Sequence, residues 1–389
     1  MKKRIKTLDL FIIISAASVI ISLFVFMLVP DMISSVSALN IKNIFNDFVF
    51  HLYYSNDLST IYTKSIHVCF PPLIYLFYHI LNLFLPPQTN ENIQFEPMYF
   101  LCAIYLIIGF LAFAFTIKRF FKTTNDNKIF LVIVMITLSS SFVFGIIECA
   151  NIAFLVLILL LLAIDFRESE SKIKQELAMI FIAIAAAIKV YPAIFGLLYI
   201  AERKYKKAIR LVIYGLLFFF VPFAFTGGIE GFNLFIENQI RVQSVWGTLS
   251  PNGIFSNLVS LGITQDLAKA MIYVFGGLSF VLFFVYKDSW KRIFLLCFVM
   301  VMCPLWSGAY TASFFITAFL TLISKMKNIT RVMDFIYIIA FSAMFTSSCY
   351  SFDFSSRKIF FASIIIFFVL IADEIYIRLS NKKAFALTK

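Results

Sequence analysis

Long apolar stretches dominate this chain, and short polar segments, mostly basic, separate them. The apolar runs lie near 8–30, 68–86, 98–117, 129–147, 152–165, 177–201, 209–226, 268–286, 293–324, 332–348 and 359–377. Several reach the ~20 residues that take an α-helix across ~30 Å of hydrocarbon. No ten-residue segments of strict apolar–polar alternation occur, so the pattern predicts helices and not a barrel. The expected fold is an all-α polytopic membrane protein. It is read as one membrane domain over 1–389 with about 10–12 transmembrane helices. No internal repeat or soluble domain is visible.

The basic segments orient the runs. Met1-Lys2-Lys3-Arg4-Ile5-Lys6 precedes the first run, which is too long for a signal peptide's apolar core. It predicts an uncleaved first helix with its N-terminus inside. The parity of the 68–86 run decides the rest. If it lies in the outer interface without spanning, 26 of the 33 Lys and Arg fall inside. The seven outside or at the outer boundary are then Lys42, Lys64, Lys189, Arg241, Lys269, Arg357 and Lys358. If it spans, 22 of the inside charges move outside, against the positive-inside rule. Pro71-Pro72 and Pro86-Pro87 also bound this run as a short helix. Both termini are then cytoplasmic, with a long first outer loop at 31–97 and a second at 227–267.

Three regions read as hairpins with polar outer tips: 129–165 with Glu148 and Asn151, 177–201 with Lys189, and 293–324 with Pro304-Leu305-Trp306-Ser307-Gly308. The second has arms too short to cross the hydrocarbon, so its tip stops inside. Irregular backbone at that depth is tolerated where it lines a cavity. An outward-opening cavity with Lys189 on its floor or wall is expected. Lys189 is the single charge in the run Leu177–Ala201. An unpaired ammonium there costs at least ~2.5–3.5 kcal/mol, so it calls for an anionic partner, a nearby carboxylate or a snorkelling path to the surface.

Composition sharpens this picture. Of 389 residues 61% are hydrophobic and 14% charged, far from ordinary globular proportions. The net charge of +12 follows from the inside loops and calls for no nucleic acid. Cysteines at 69, 102, 149, 297, 303 and 349 form no CxxC pair, so no zinc site or disulfide framework is indicated.

Candidate chemistry concentrates in the outer segments. Asp47 and His51 are four apart, on one helical face if the segment is helical. A carboxylate held by an imidazole could act as general base toward a hydroxyl; the alternative is a helix cap at Asn46-Asp47. Asp57 looks like turn chemistry. Arg241 with Lys189 would suit a phosphate, unless it pairs with Glu237 at i,i+4. Glu148 and Asn151 could bond neighbouring helices or a sugar. Trp306 and Tyr310 are belt anchors or sugar-stacking rings.

Several segments together resemble the membrane-embedded GT-C glycosyltransferases, in particular glycosyltransferase family 87. They are Asp47-Phe48, Phe70-Pro71-Pro72-Leu73-Ile74-Tyr75, Glu148-Cys149-Ala150-Asn151, and Ala187-Ile188-Lys189-Val190-Tyr191-Pro192 followed by the basic loop Arg203 to Arg210. That family includes polyprenyl-phosphate-mannose-dependent mannosyltransferases. The resemblance implies a plasma (inner) membrane enzyme that moves a hexose from a polyprenyl-phosphate donor to an envelope glycan or glycolipid acceptor outside, with inversion. Asp47 would be the catalytic base. Lys189 and Arg241 would neutralise the leaving phosphate. His51, Glu148, Asn151, Tyr191, Trp306 and Tyr310 would contact sugar or acceptor. No cofactor, nucleotide or metal is implied. A polyprenyl-linked polysaccharide polymerase or ligase, and a non-catalytic lipid transporter, are the competing readings; tolerance of Asp47→Asn would mark the transporter.

Overall fold

A computed structural model describes residues 6–28, 45–65, 67–85, 96–121, 126–246, 250–345 and 352–387. Residues 29–44 and 86–95, with Lys42 and Pro86-Pro87, and Cys349 therefore lie outside the described residues. Among the described residues every regular element is helical.

Helix α1 spans Thr7–Leu28. Three short helices follow, α2 (Asn46–Tyr54), α3 (Ile61–Lys64) and α4 (Pro72–Asn82). The 68–86 run thus yields a helix of 11 residues. At 1.5 Å per residue that is roughly 16 Å, too short to cross the hydrocarbon. Pro72 opens it without loss, because the first turn has no intrahelical donor role to fill.

Next come α5 (Glu96–Phe120), α6 (Asp126–Ser139), α7 (Ser141–Cys149) and α8 (Ala153–Arg167). Ser140 interrupts the α6–α7 arm: its Oγ accepts from the Val143 amide at 3.4 Å and caps α7. The predicted first hairpin therefore has one broken arm. In the second hairpin, α9 covers Lys172–Ile188, capped by Ser171. The chain breaks at Lys189 and Val190, continues as a 3-10 turn at Tyr191–Gly196, and ends in α10 (Leu197–Ala201). Its arms are unequal because the Ser171 cap starts α9 earlier than apolarity alone predicts.

The remaining helices are α11 (Tyr205–Phe220), α12 (Gly228–Trp246), α13 (Ile254–Ser260), α14 (Gln265–Val285), α15 (Ser289–Met302), α16 (Phe315–Lys325), α17 (Val332–Phe345) and α18 (Phe352–Leu387). Between α15 and α16 the third hairpin turns at 303–308 and enters a 3-10 turn, Ala309–Phe314. The segment 227–267 is therefore largely helical, as α12 and α13.

By length and composition four described helices can cross a membrane: Pro97–Phe120, Tyr205–Phe225, Gln265–Val285 and Ser356–Ser380. Other apolar runs are divided into shorter helices, with breaks at Ser140, at Lys189 and at 303–308. The protein is an all-α polytopic membrane protein.

Helices α8 and α9 each carry one polar end and one strongly charged end, and α15 carries its charges, Lys291 and Arg292, at one end only. Asn151 precedes α8, and Arg167, bonded to Glu202, closes it. Fourteen to fifteen residues separate the two ends of α8 and α15, roughly 22 Å. At the charged end Lys291 meets Asp373 at 3.0 Å, and Arg331 meets Asp373 at 2.6 Å and Asp334 at 2.8 Å. Lys291 is 3% exposed and Asp373 is fully buried. This cluster fastens α18 to α15 and α17. Asp373→Ala leaves two cations without their shared carboxylate and is expected to destabilise the fold by about 3–5 kcal/mol. Denaturant titration in detergent checks this; a loss under about 1 kcal/mol would show the cluster is solvated.

Candidate active site

The start of α2 is tied to the tip of the first hairpin. The Phe45 amide donates to the Glu148 carbonyl at 2.6 Å, and Phe45 adopts left-handed backbone at φ 63°. A non-glycine residue holds that conformation where surrounding contacts over-determine it. On the other side, Ala150 is also left-handed, at φ 48°, and closes α7. These two turns bring the first turn of α2 against Asn151, 104 residues further along the chain.

Asn151 is 3% exposed, and its amide is fixed by its neighbours. Its Oδ1 accepts from the Ala153 amide at 2.8 Å and from Lys189 Nζ at 3.3 Å. The Ala153 N–H can only donate, so the NH2 group must point the other way. There Nδ2 donates to Asp47 Oδ2 at 2.5 Å. One amide thus lies between the carboxylate and the ammonium, which form no direct ion pair. Asp47 keeps its second oxygen for another partner.

Lys189 is 4% exposed at the break after α9. Nζ also donates to the Tyr310 hydroxyl at 3.2 Å. It sits 4.7 Å from the Phe70 ring centroid and 4.5 Å from that of Tyr310, within cation–π range on both sides. Gly308 lets the Tyr310 ring lie against the tip, since a Cβ at 308 would strike that ring.

These groups form the base of a cavity of about 560 Å³. Asp47, Asn151 and Tyr310 line its polar part, while Phe50, Tyr54, Phe70, Val242 and Trp306 make an aromatic and apolar wall. Lys189 stands directly behind Asn151, Phe70 and Tyr310 rather than on the surface of the cavity. Burial lifts the Asp47 carboxyl above the ordinary aspartate range. The Asn151 hydrogen bond opposes that rise, followed by the Lys189 and His67 charges.

The structure revises several sequence-level assignments. His51 does not hold Asp47. Its ring is 8% exposed and packs among Phe70, Tyr75 and Tyr78 at 4.9, 5.8 and 5.8 Å, and Nδ1 has no hydrogen-bond partner. Burial holds this imidazole neutral, lowering its pKa to about 3, with the Lys189 and His67 charges adding to the effect. The four-residue spacing does bring Asp47 and His51 to one cavity, but aromatic packing and not the carboxylate holds the His51 ring. Arg241 is exposed on α12 and does not line the cavity; its neighbour Val242 does. Arg241 forms no ion pair with Glu237 either. Glu148 contributes its carbonyl to Phe45, and its carboxylate is not part of the cavity lining. Tyr191 packs edge-on against Phe314 at 5.5 Å, its buried hydroxyl unpartnered, and also lies outside the lining. His51, Trp306 and Tyr310 do line it. Asp57 forms the expected turn, accepting from Ser59 and Thr60 hydroxyls at 2.7 Å each.

Asn46, Phe50, Tyr54, His67, Cys69, Phe70, Cys149 and Val242 also line the cavity. Phe50 and Tyr54 were findable, because they follow Asn46 at i+4 and i+8 on one helical face. Val242 carried no signal: its position depends on how α12 docks. Among the described residues no three His, Cys, Asp or Glu side chains are grouped to hold a metal ion.

The family model described as glycosyltransferase family 87 matches residues 69–304. The match contains Phe70, Asn151 and Lys189, while Asp47 and Tyr310 fall on either side of it. No curated protein and no solved structure matches the chain. A match over more than half of a chain built from apolar helices places this protein in glycosyltransferase family 87, as a membrane glycosyltransferase that joins a sugar donor to an acceptor.

Proposed function

We propose that this glycosyltransferase moves a mannose-like hexose from polyprenyl phosphate to a hydroxyl of an envelope glycan or glycolipid. The reaction takes place on the extracytoplasmic side, inverts the anomeric centre and uses Asp47 as general base. One observation carries the reading: a carboxylate and an ammonium tied through a single amide at the base of an aromatic-walled cavity. The basic clusters at the far ends of α8 and α9 support a cytoplasmic orientation for that face.

In this mechanism Asp47 accepts the acceptor hydroxyl proton on the oxygen that Asn151 leaves free. The hydroxyl oxygen attacks the anomeric carbon from the face opposite the phosphate. The bond from that carbon to the phosphate oxygen breaks, its electron pair stays on the phosphate, and polyprenyl phosphate departs with an additional negative charge. The Tyr310 hydroxyl faces that growing charge, and Lys189, buried directly behind it and bonded to it, supplies a fixed positive field where burial makes a cation most effective. The apolar wall suits an amphiphilic substrate with its polar head at the base of the cavity.

The test is transfer of radiolabelled sugar from a panel of polyprenyl-phosphate sugars to lipid-extract acceptors by the purified enzyme in lipid. Absence of transfer from every donor would sink the proposal. Where transfer occurs, its pH dependence tests the base. Asp47 must be ionised, so activity is present above its raised pKa and lost as pH falls through it. The acid limb of kcat/KM is expected above the ~4 of a free aspartate. Asn151→Ala removes the bond that opposes the rise, so the limb is expected to move to still higher pH and the rate to fall about tenfold. A limb that stays in place in Asn151→Ala would exclude Asp47 as the titrating group.

A further inference from the structure

The second outer segment grips both sides of the aromatic pair around Lys189. On α12, Asn238 Nδ2 donates to the Tyr62 carbonyl at 2.8 Å and to the Val68 carbonyl at 3.0 Å. Gln239 Nε2 donates to the Cys69 carbonyl next to them. These carbonyls belong to the segment that ends in Phe70, the ring on one side of the ammonium.

The opposite grip lies in the turn before α13. Asn252 Nδ2 donates to the Ala309 carbonyl at 2.8 Å, and the Ser250 and Ser307 hydroxyls meet at 2.9 Å. Ser307 and Ala309 precede Tyr310, the ring on the other side. Asn252 is fully buried and Asn238 is 4% exposed. The turn that holds Asn252 is itself rigid: Asn257 Nδ2 donates to the Pro251 and Gly253 carbonyls at 2.9 Å each. Gly253 packs so closely on Ser250 that an added Cβ would meet its Oγ at 2.7 Å.

A buried side-chain amide needs hydrogen-bond partners, most often backbone groups. Here two of them reach across to carbonyls 170 and 57 residues away, on the two segments that flank one cation. We propose that α12 and the Ser250–Ser260 segment form a two-point brace that sets the separation of Phe70 and Tyr310. Asn238 and Asn252 are then positioning residues for the donor phosphate, acting through Lys189. A cation–π contact weakens once the ring recedes beyond about 6 Å, so the gap controls where the ammonium rests. The inference rests on the reading of Lys189 as the phosphate-binding cation.

A double-mutant cycle on binding of long-chain polyprenyl phosphate separates the two ideas. The proteins are the wild type, Asn252→Ala, Lys189→Met and the double variant, all in lipid nanodiscs. Asn252→Ala is expected to weaken binding about tenfold in the wild-type background and less than about twofold in the Lys189→Met background. The same variant should increase iodide quenching of Trp306 when Trp246 and Trp290 are replaced by Phe. Equal losses in both backgrounds overturn the brace and leave the donor reading intact. No binding of polyprenyl phosphate by the wild type overturns the donor reading and the brace with it. Should Asn252→Ala not fold, Asn238→Ala at the other grip is put through the same cycle with the same expected non-additivity.

Discussion

Asp47→Asn is expected to lower the transfer rate by a factor of about 10²–10⁴, the usual range for loss of a positioned general base. The substitution preserves shape. The side-chain oxygen of the new amide can still accept from Asn151 Nδ2, so the turn between Phe45 and the hairpin tip should persist. What disappears is the group that can hold the acceptor proton. Binding of polyprenyl phosphate should change little, since Asp47 meets Lys189 only through Asn151. Single-turnover transfer measured beside product binding distinguishes these effects. Transfer within about threefold of the wild type would remove Asp47 from the chemistry.

Lys189→Met carries the second large effect. Methionine fills most of the lysine stem, and the slot between Phe70 and Tyr310 is apolar enough to take a thioether. Asn151 Oδ1 keeps its bond from the Ala153 amide, so the amide that holds Asp47 stays oriented. The loss is therefore electrostatic. Removing a donor aimed at developing charge typically lowers kcat by about 10²–10³. The fall in kcat should exceed the rise in donor KM, because negative charge on the phosphate grows as the bond breaks. Raised KM with unchanged kcat would make Lys189 a ground-state binder only. Lys189→Arg is not expected to restore activity, since the planar fork cannot occupy a slot shaped for a single ammonium.

Much of this site was legible from residue types. A lone charge in an apolar run marked Lys189, and an acidic residue just after the first helix, in a segment resembling family 87, marked Asp47. Asn151 stood out at a hairpin tip, but as a sugar contact. Its role as the link between carboxylate and ammonium depends on which way its amide faces, and that is decided by the Ala153 amide. The spacing placed His51 on the same cavity as Asp47 but not in a bond to it, because a shared sweep of helix does not make a shared hydrogen bond. Arg241 misled because charge alone cannot tell the outer face of α12 from the face bearing Val242.

The apolar runs and the placement of basic residues were sufficient for the membrane class, the helical fold, the short helix of the 68–86 run and the breaks at 150, 189 and 303–308. The reason is local: hydrocarbon leaves backbone groups no partner outside a helix, and an apolar run too short to span, or carrying one charge, must turn or break. Tertiary structure alone decided the partners. Asp47 and Asn151 are 104 residues apart, and Lys189 and Tyr310 are 121 apart. No periodicity relates residues at such distances. Two left-handed turns and the packing of α2 on the hairpin tip set those contacts, and hydrogen bonds, being short and directional, form only where that packing puts donor and acceptor within about 3 Å.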